Sequence, residues 1–267
     1  QEDEAYNEAE VQRAVHYAKQ YPDIIKMIAV GNEAMVHWAT SYFVPPSVIL
    51  KWVNYLQELK SKGDLSSDLW ITSSDDFAAW GGASDNYHTE DLNRLIAAVD
   101  FVSMHTYAFH NSHYSPDYWY SRDPSLSKIE KIDASMQRAG EFAIGQYKAV
   151  KQYILSLGID KPVHIGETGW ATASNGFYGA EGSQAADEYK SKKYYDFLRK
   201  WSNENGVSCF YFEAFDEPWK DAENPMGSEN HFGLINLQGE AKYALWGLVD
   251  GGVFEDLTRD GKPITKT

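Results

Sequence analysis

Cysteine is almost missing from this chain of 267 residues: Cys209 stands alone. A single thiol excludes an intrachain disulfide and a cluster of thiolate metal ligands. Its neighbours Ser208 and Phe210 lie in an apolar run, so Cys209 is expected in the core. Basic residues are also scarce. There are 24 Lys and Arg against 39 Asp and Glu, for a formal net charge of −15. Such a balance argues against nucleic acid and anionic membrane, and it would repel an anionic polysaccharide; a neutral partner fits better. No apolar run approaches a membrane span, so no membrane insertion is expected. Gln1–Glu10 is acidic and lacks the apolar stretch of a secretory leader. That end reads as processed or truncated, and targeting is not legible from it.

What the chain has in excess is rings. Aromatic residues make up 15%, with nine Trp and eighteen Tyr. Aromatic faces pack cores, and they also stack on the apolar faces of sugars. The periodicities alternate. Asn7–Tyr21 carries a helical stripe, with Asn7 and Glu10 at capping-box spacing. The apolar run Ile24–Val30 suits a buried strand and stops at Gly31-Asn32-Glu33. A helix follows over Ser47–Lys62, then a strand over Leu69–Ser73. Next come a short helix capped by Thr89 and a strand over Val99–Tyr107. After a long loop, His110–Ser127, an amphipathic helix runs to Leu157 and stops at Gly158. Pro162–Gly166 is the fourth strand. Ser183 opens a helix to Asn205, Val207–Ala214 is the fifth strand, and a short helix is expected over Glu240–Leu248 before a polar tail. Strands alternating with helices predict an α/β fold of parallel strands with crossover helices, read as one domain.

Two strand ends are chemically loaded: Val30-Gly31-Asn32-Glu33 and His164-Ile165-Gly166-Glu167-Thr168-Gly169-Trp170. One glutamate at a strand end is more often solvated or ion-paired. Two, far apart in sequence but on the same face by the strand count, suit glycosidic cleavage. One carboxyl donates a proton to the leaving oxygen and the other attacks the anomeric carbon.

These motifs, with Phe210-Tyr211-Phe212-Glu213-Ala214-Phe215-Asp216-Glu217-Pro218-Trp219-Lys220, resemble the signatures of glycoside hydrolase family 17. That family holds β-1,3-glucanases and glucanosyltransferases in a clan of retaining (β/α)8 barrels. The resemblance implies roles residue by residue. Glu33 would be the acid/base and Glu167 the nucleophile, with carboxyls about 5–5.5 Å apart if configuration is retained. Asn32 would bond the sugar 2-hydroxyl and Tyr107 would orient Glu167. Glu217 and Lys220 would line the cleft, and Trp170, Phe215 and Trp219 would be sugar platforms. The implied activity is endo-β-1,3-glucan hydrolysis. Glucanosyl transfer by the same residues, or glucan binding without catalysis, are the alternatives. The implied setting is secreted, periplasmic or cell-surface. In the clan the acid/base ends strand four and the nucleophile strand seven. The five strands here therefore register as four to eight, and strands one to three would come from a missing segment or a second polypeptide.

The remaining polar residues are less directed. His105, His110 and His113 match no metal-ligand spacing, so no metal and no cofactor is expected. Asp75 and Asp76 end a strand, where they could touch sugar or bind a cation, but solvated surface is the preferred reading. Glu213 has no assigned role. The aromatic loop from Tyr114 to Tyr120 is either a further subsite or a stapled surface loop.

Overall fold

The computed structural model describes residues 3–115, 121–175 and 184–267. In chain order its main elements are α1 (Glu4–Gln20), β1 (Met27–Asn32), α2 (Pro46–Ser61), β2 (Trp70–Asp76), α3 (Glu90–Ala98) and β3 (Val102–His105). They continue as α4 (Ala108–Asn111), α5 (Lys128–Ser156), β4 (Val163–Thr168), α6 (Glu188–Asn205), β5 (Cys209–Tyr211), β6 (Glu240–Ala241), α7 (Trp246–Asp250), β7 (Thr258–Arg259), β8 (Lys262–Pro263) and β9 (Thr265–Lys266). The strand order in the main sheet is β1-β2-β3-β4-β5, and β1–β2 and β2–β3 pair in parallel. The fold is α/β, with an α-helix between successive strands of the main sheet. No described helix is long and apolar enough to cross a membrane.

The chain divides into two compact units, one of residues 1–106 and 145–166 and one of residues 107–144 and 167–267. The first unit is built on β1, β2 and β3. Its buried core is chiefly aliphatic, with Ile49, Val53 and Leu56 of α2, Leu92, Leu95 and Ile96 of α3, and Ile71 and Val102 of the strands. Helix α1 starts at Glu4, where the Asp3 carboxylate accepts from the backbone N–H of Tyr6 at 3.0 Å. The cap is therefore Asp3 and not the Asn7–Glu10 pair. Strand β1 begins at Met27, later than the apolar run, because the N–H groups of Ile24 and Ile25 both bond Tyr21 O and close a turn. Thr89 does cap α3, accepting from Leu92 N at 3.1 Å.

The second unit packs rings. Phe109, Trp170, Tyr194 and Phe232 are buried together, with Phe109–Trp170 and Trp170–Tyr194 centroids both 5.3 Å apart. Asp187 caps α6 through Lys190 N at 2.7 Å; Ser183, expected to open that helix, lies outside the described residues. Gly206 ends α6 in the left-handed conformation. Strand β5 is shorter than Val207–Ala214. Val207 N still bonds Ser202 O of α6, and Glu213 turns away to pair with Phe232 and Leu234. The helix expected over Glu240–Leu248 is split: Glu240–Ala241 pairs with β9, and only Trp246–Asp250 is α-helical. Cys209 is half-buried, not in the core proper.

Candidate active site

In the first unit the chain is bent to deliver Glu33. Ala29 pairs with Thr72 but Asn32 with Ser74, so β1 carries one extra residue between them. Such a bulge re-aims the side chains that follow it. Glu33 itself has φ +47°, a left-handed conformation uncommon for a residue with a Cβ, while its N–H bonds Ser74 O at 2.9 Å. Strain of this kind gathers where side-chain placement matters for function. Oε1 of Glu33 lies 2.9 Å from Nδ1 of His105, a fully buried residue at the end of β3. Nε2 of the same ring lies 2.7 Å from Ser74 Oγ, which is 2.8 Å from Ser103 Oγ. Asn32 is exposed beside Glu33.

Asp75 is fully buried and corrects the surface expectation. Its carboxylate accepts from Met35 N and Asp76 N, both at 2.9 Å, and so pins the segment that follows Glu33. Burial pushes this carboxyl up to about 7, against the pull of the two backbone donors. The Tyr42 phenol is raised as well, by burial and then by the charges of Glu33 and Asp75.

In the second unit the Tyr107 hydroxyl donates to Oε1 of Glu167 at the end of β4. The Tyr107 ring is stacked on His110 at 4.9 Å and meets Phe232 and Phe212 edge-on. Trp170, expected as a sugar platform, is fully buried, and its indole N–H donates to Ala185 O at 3.0 Å. Its ring belongs to the core because Phe109 and Tyr194 close over it. Trp219 is 67% exposed and has faces to offer. Phe215 is part-exposed, with the Arg259 guanidinium 4.1 Å above its ring.

The Phe210–Lys220 motif separates into two polar groups. Lys220 Nζ lies 3.4 Å from Glu217, 3.8 Å from Glu213 and 4.0 Å above the Phe212 ring. Burial, followed by a hydrogen bond with Glu217, pushes the Glu213 carboxyl up to about 8. Asp216 turns inward and pairs with the buried Lys242 at 2.7 Å; Lys242 also donates to Thr172 Oγ1. Burial pulls the Lys242 ammonium down, with Asp216 opposing.

Sequence reasoning passed over His105 as a support for Glu33. The readable signal was its two-residue spacing from Tyr107, which puts both on one side of an extended segment. The three histidines take different partners: His110 faces Glu229 at 3.7 Å, and His113 lies edge-on to Tyr114. Of the aromatic loop, Tyr114 is described and is exposed. Tyr118, Trp119 and Tyr120 lie outside the described residues.

A family profile described as the BtgE/BtgC glycoside hydrolase domain matches residues 1–233. An endo-laminarinase from Formosa Hel1_33_131 is 62% identical, with a TM-score of 0.94, over 100% of this chain and 67% of that one. A glucan 1,3-beta-glucosidase of Schizosaccharomyces pombe is 24% identical over 246 residues, 91% of this chain. The chain spans 64% of the length of that yeast protein. A glycoside hydrolase family 17 β-1,3-glucanosyltransferase from Rhizomucor miehei shares the fold at 19% identity and a TM-score of 0.53, over 81% of this chain and 61% of its own.

Proposed function

The chain belongs to the BtgE/BtgC glycoside hydrolase family, and from that premise we propose that it hydrolyses β-1,3-glucan internally and with retention of configuration. The observation that carries this reading is that each loaded strand end presents a glutamate within hydrogen-bond distance of a ring side chain. His105 holds Glu33 and Tyr107 holds Glu167. Glu167 is the nucleophile. The Tyr107 hydroxyl occupies Oε1, and Oε2 attacks the anomeric carbon to form a glycosyl-enzyme while the glycosidic bond breaks. Glu33 protonates the departing sugar, then takes a proton from the water that releases the glycosyl group. Retention asks that the two carboxyls act about 5–5.5 Å apart.

The substrate class follows from the 62%-identical endo-laminarinase and from the net charge of −15, which suits a neutral glucan. Asn32 bonds the 2-hydroxyl of the reacting sugar, Glu217 and Lys220 line the cleft, and Trp219 and the open face of Phe215 are platforms. We take β1–β5 as strands four to eight of a (β/α)8 barrel and residues 1–267 as one catalytic domain. Three further strands, from a preceding segment or a second polypeptide, would close it.

Proton NMR of a laminarioligosaccharide digest tests the mechanism. The first-formed reducing end should be the β anomer, and an α anomer would sink it. Trapping with a 2-fluoro laminaribiosyl fluoride should label the peptide that carries Glu167; a label elsewhere reassigns the nucleophile. Products longer than the starting sugar would reassign the chain to glucanosyl transfer.

A further inference from the structure

We infer that His105 is a positioning residue that fixes which oxygen of Glu33 carries the exchangeable proton, and that the Ser74–Ser103 pair holds His105 in the tautomer this requires. The inference rests on the reading of Glu33 as the acid/base.

His105 is fully buried, and each of its ring nitrogens lies within hydrogen-bond distance of a polar atom: Nδ1 is 2.9 Å from Glu33 Oε1 and Nε2 is 2.7 Å from Ser74 Oγ. A neutral imidazole has one N–H and one lone pair, so the partner of one nitrogen sets the state of the other. Ser103 Oγ lies 2.8 Å from Ser74 Oγ, and the backbone of Ser103 is itself held, its carbonyl accepting from the buried Trp80 indole at 2.9 Å. On this proposal the line runs in one direction: Ser103 donates to Ser74, Ser74 donates to Nε2, and the hydrogen resides on Nδ1. His105 then donates to Oε1 of Glu33 whether or not Glu33 is protonated. The proton that Glu33 exchanges is confined to Oε2. It passes from Oε2 to the glycosidic oxygen as that bond breaks, and a proton returns to Oε2 from water in the second step.

Gly166 supplies independent support. A Cβ built there would fall 1.9 Å from Ser103 Oγ and 2.7 Å from Ser74 Oγ. The serine pair occupies the space a side chain would need. The glycine just before Glu167 is thus explained by the support of Glu33.

The test compares kcat/KM on β-1,3-glucan with kcat/KM on a dinitrophenyl β-laminaribioside, whose leaving group needs no protonation. It uses the natural full-length protein. Glu33→Ala first checks the underlying reading: glucan cleavage should collapse while cleavage of the aryl substrate persists. Equal losses on both would overturn the acid/base assignment itself. His105→Leu should then lower the glucan value by roughly 10- to 100-fold and leave the aryl value within about threefold, since it impairs only proton delivery. His105→Asn, whose amide N–H can stand near the place of Nδ1–H, should recover most of the glucan activity. Ser74→Ala removes one hydroxyl with little effect on packing, and it should lower the glucan value alone, by about fivefold. If Glu33→Ala keeps its leaving-group dependence, three results still overturn the role of His105. They are an equal loss on both substrates in His105→Leu, no gain from Asn over Leu, and wild-type behaviour of Ser74→Ala.

Discussion

The two units secure their glutamates by different means. The first has a core of Val, Leu and Ile, and it places Glu33 through its backbone: a bulge in β1, a left-handed residue, and a buried carboxylate gripping Met35 N. The second has a core of rings and places Glu167 through a side chain, the Tyr107 phenol wedged among His110, Phe212 and Phe232. The contrast fits the chemistry proposed for each. A group that both gives and takes a proton needs the polarity of its hydrogen bonds fixed. A nucleophile needs one donor and a fixed direction.

The sharpest break in this comparison is Glu167→Ala. It should abolish turnover of both natural and activated substrates, by roughly 10⁴-fold or more. A Glu33 variant should spare kcat/KM for the activated one while still slowing release of its glycosyl-enzyme. Next come the packing differences. Trp170→Ala in the ring core should destabilise by about 3–5 kcal/mol by chemical denaturation. Lys242→Met should cost a similar ~3–5 kcal/mol, because it leaves the buried Asp216 carboxylate uncompensated. Tyr107→Phe keeps the ring and removes one donor, so kcat should fall about 10²-fold. Unlike His105→Leu, it should do so on both classes of substrate.

A smaller effect separates the units by pH. Asp75 in the first is raised to about 7 and Glu213 in the second to about 8, both chiefly by burial. The ordinary values are 3.8 and 4.5, so the folded chain binds these protons more tightly than the unfolded chain does. Each contribution to stability is complete below the ordinary value. It is lost as pH rises through about 7 for Asp75 and about 8 for Glu213. In thermal melts from acid to mildly alkaline pH, Glu213→Gln should remove the more alkaline part of the decline, and Asp75→Asn the part nearer neutrality. Parallel curves for wild type and both variants would contradict the assignment. The smallest effect belongs to Trp219→Ala. Stability should stay within about 0.5 kcal/mol, while KM for long glucans rises a few-fold.

Much of this was legible in the sequence. The alternation of apolar runs with helical stripes predicted the order of β1–β5 and the long helices between them, and Glu33 and Glu167 announced themselves as carboxylates at strand ends. The rest turned on tertiary facts that leave no local trace. Ile24 and Ile25 are as apolar as the strand after them, yet a turn claims their N–H groups. Trp170 and Trp219 are the same residue in similar Gly- and Pro-flanked settings, and only packing makes one core and the other surface. Asp75 next to Asp76 looks like solvated charge until Met35 N is seen donating to it. The Asp216–Lys242 pair joins residues 26 positions apart, a distance no short-range pattern carries.

The space at Gly166 also limits the order in which this protein can change. An alanine there, arising alone, would push on Ser103 and Ser74 and disturb the support of Glu33 three strands away in sequence. The same alanine would be tolerated far better in a background where Ser103 had already become glycine, since the nearer clash is with that hydroxyl. The two changes are therefore epistatic, with a preferred sequence of events: the hydroxyl goes first, the methyl arrives second. Libraries that vary position 166 without position 103 would score it as immutable, when the constraint belongs to the pair.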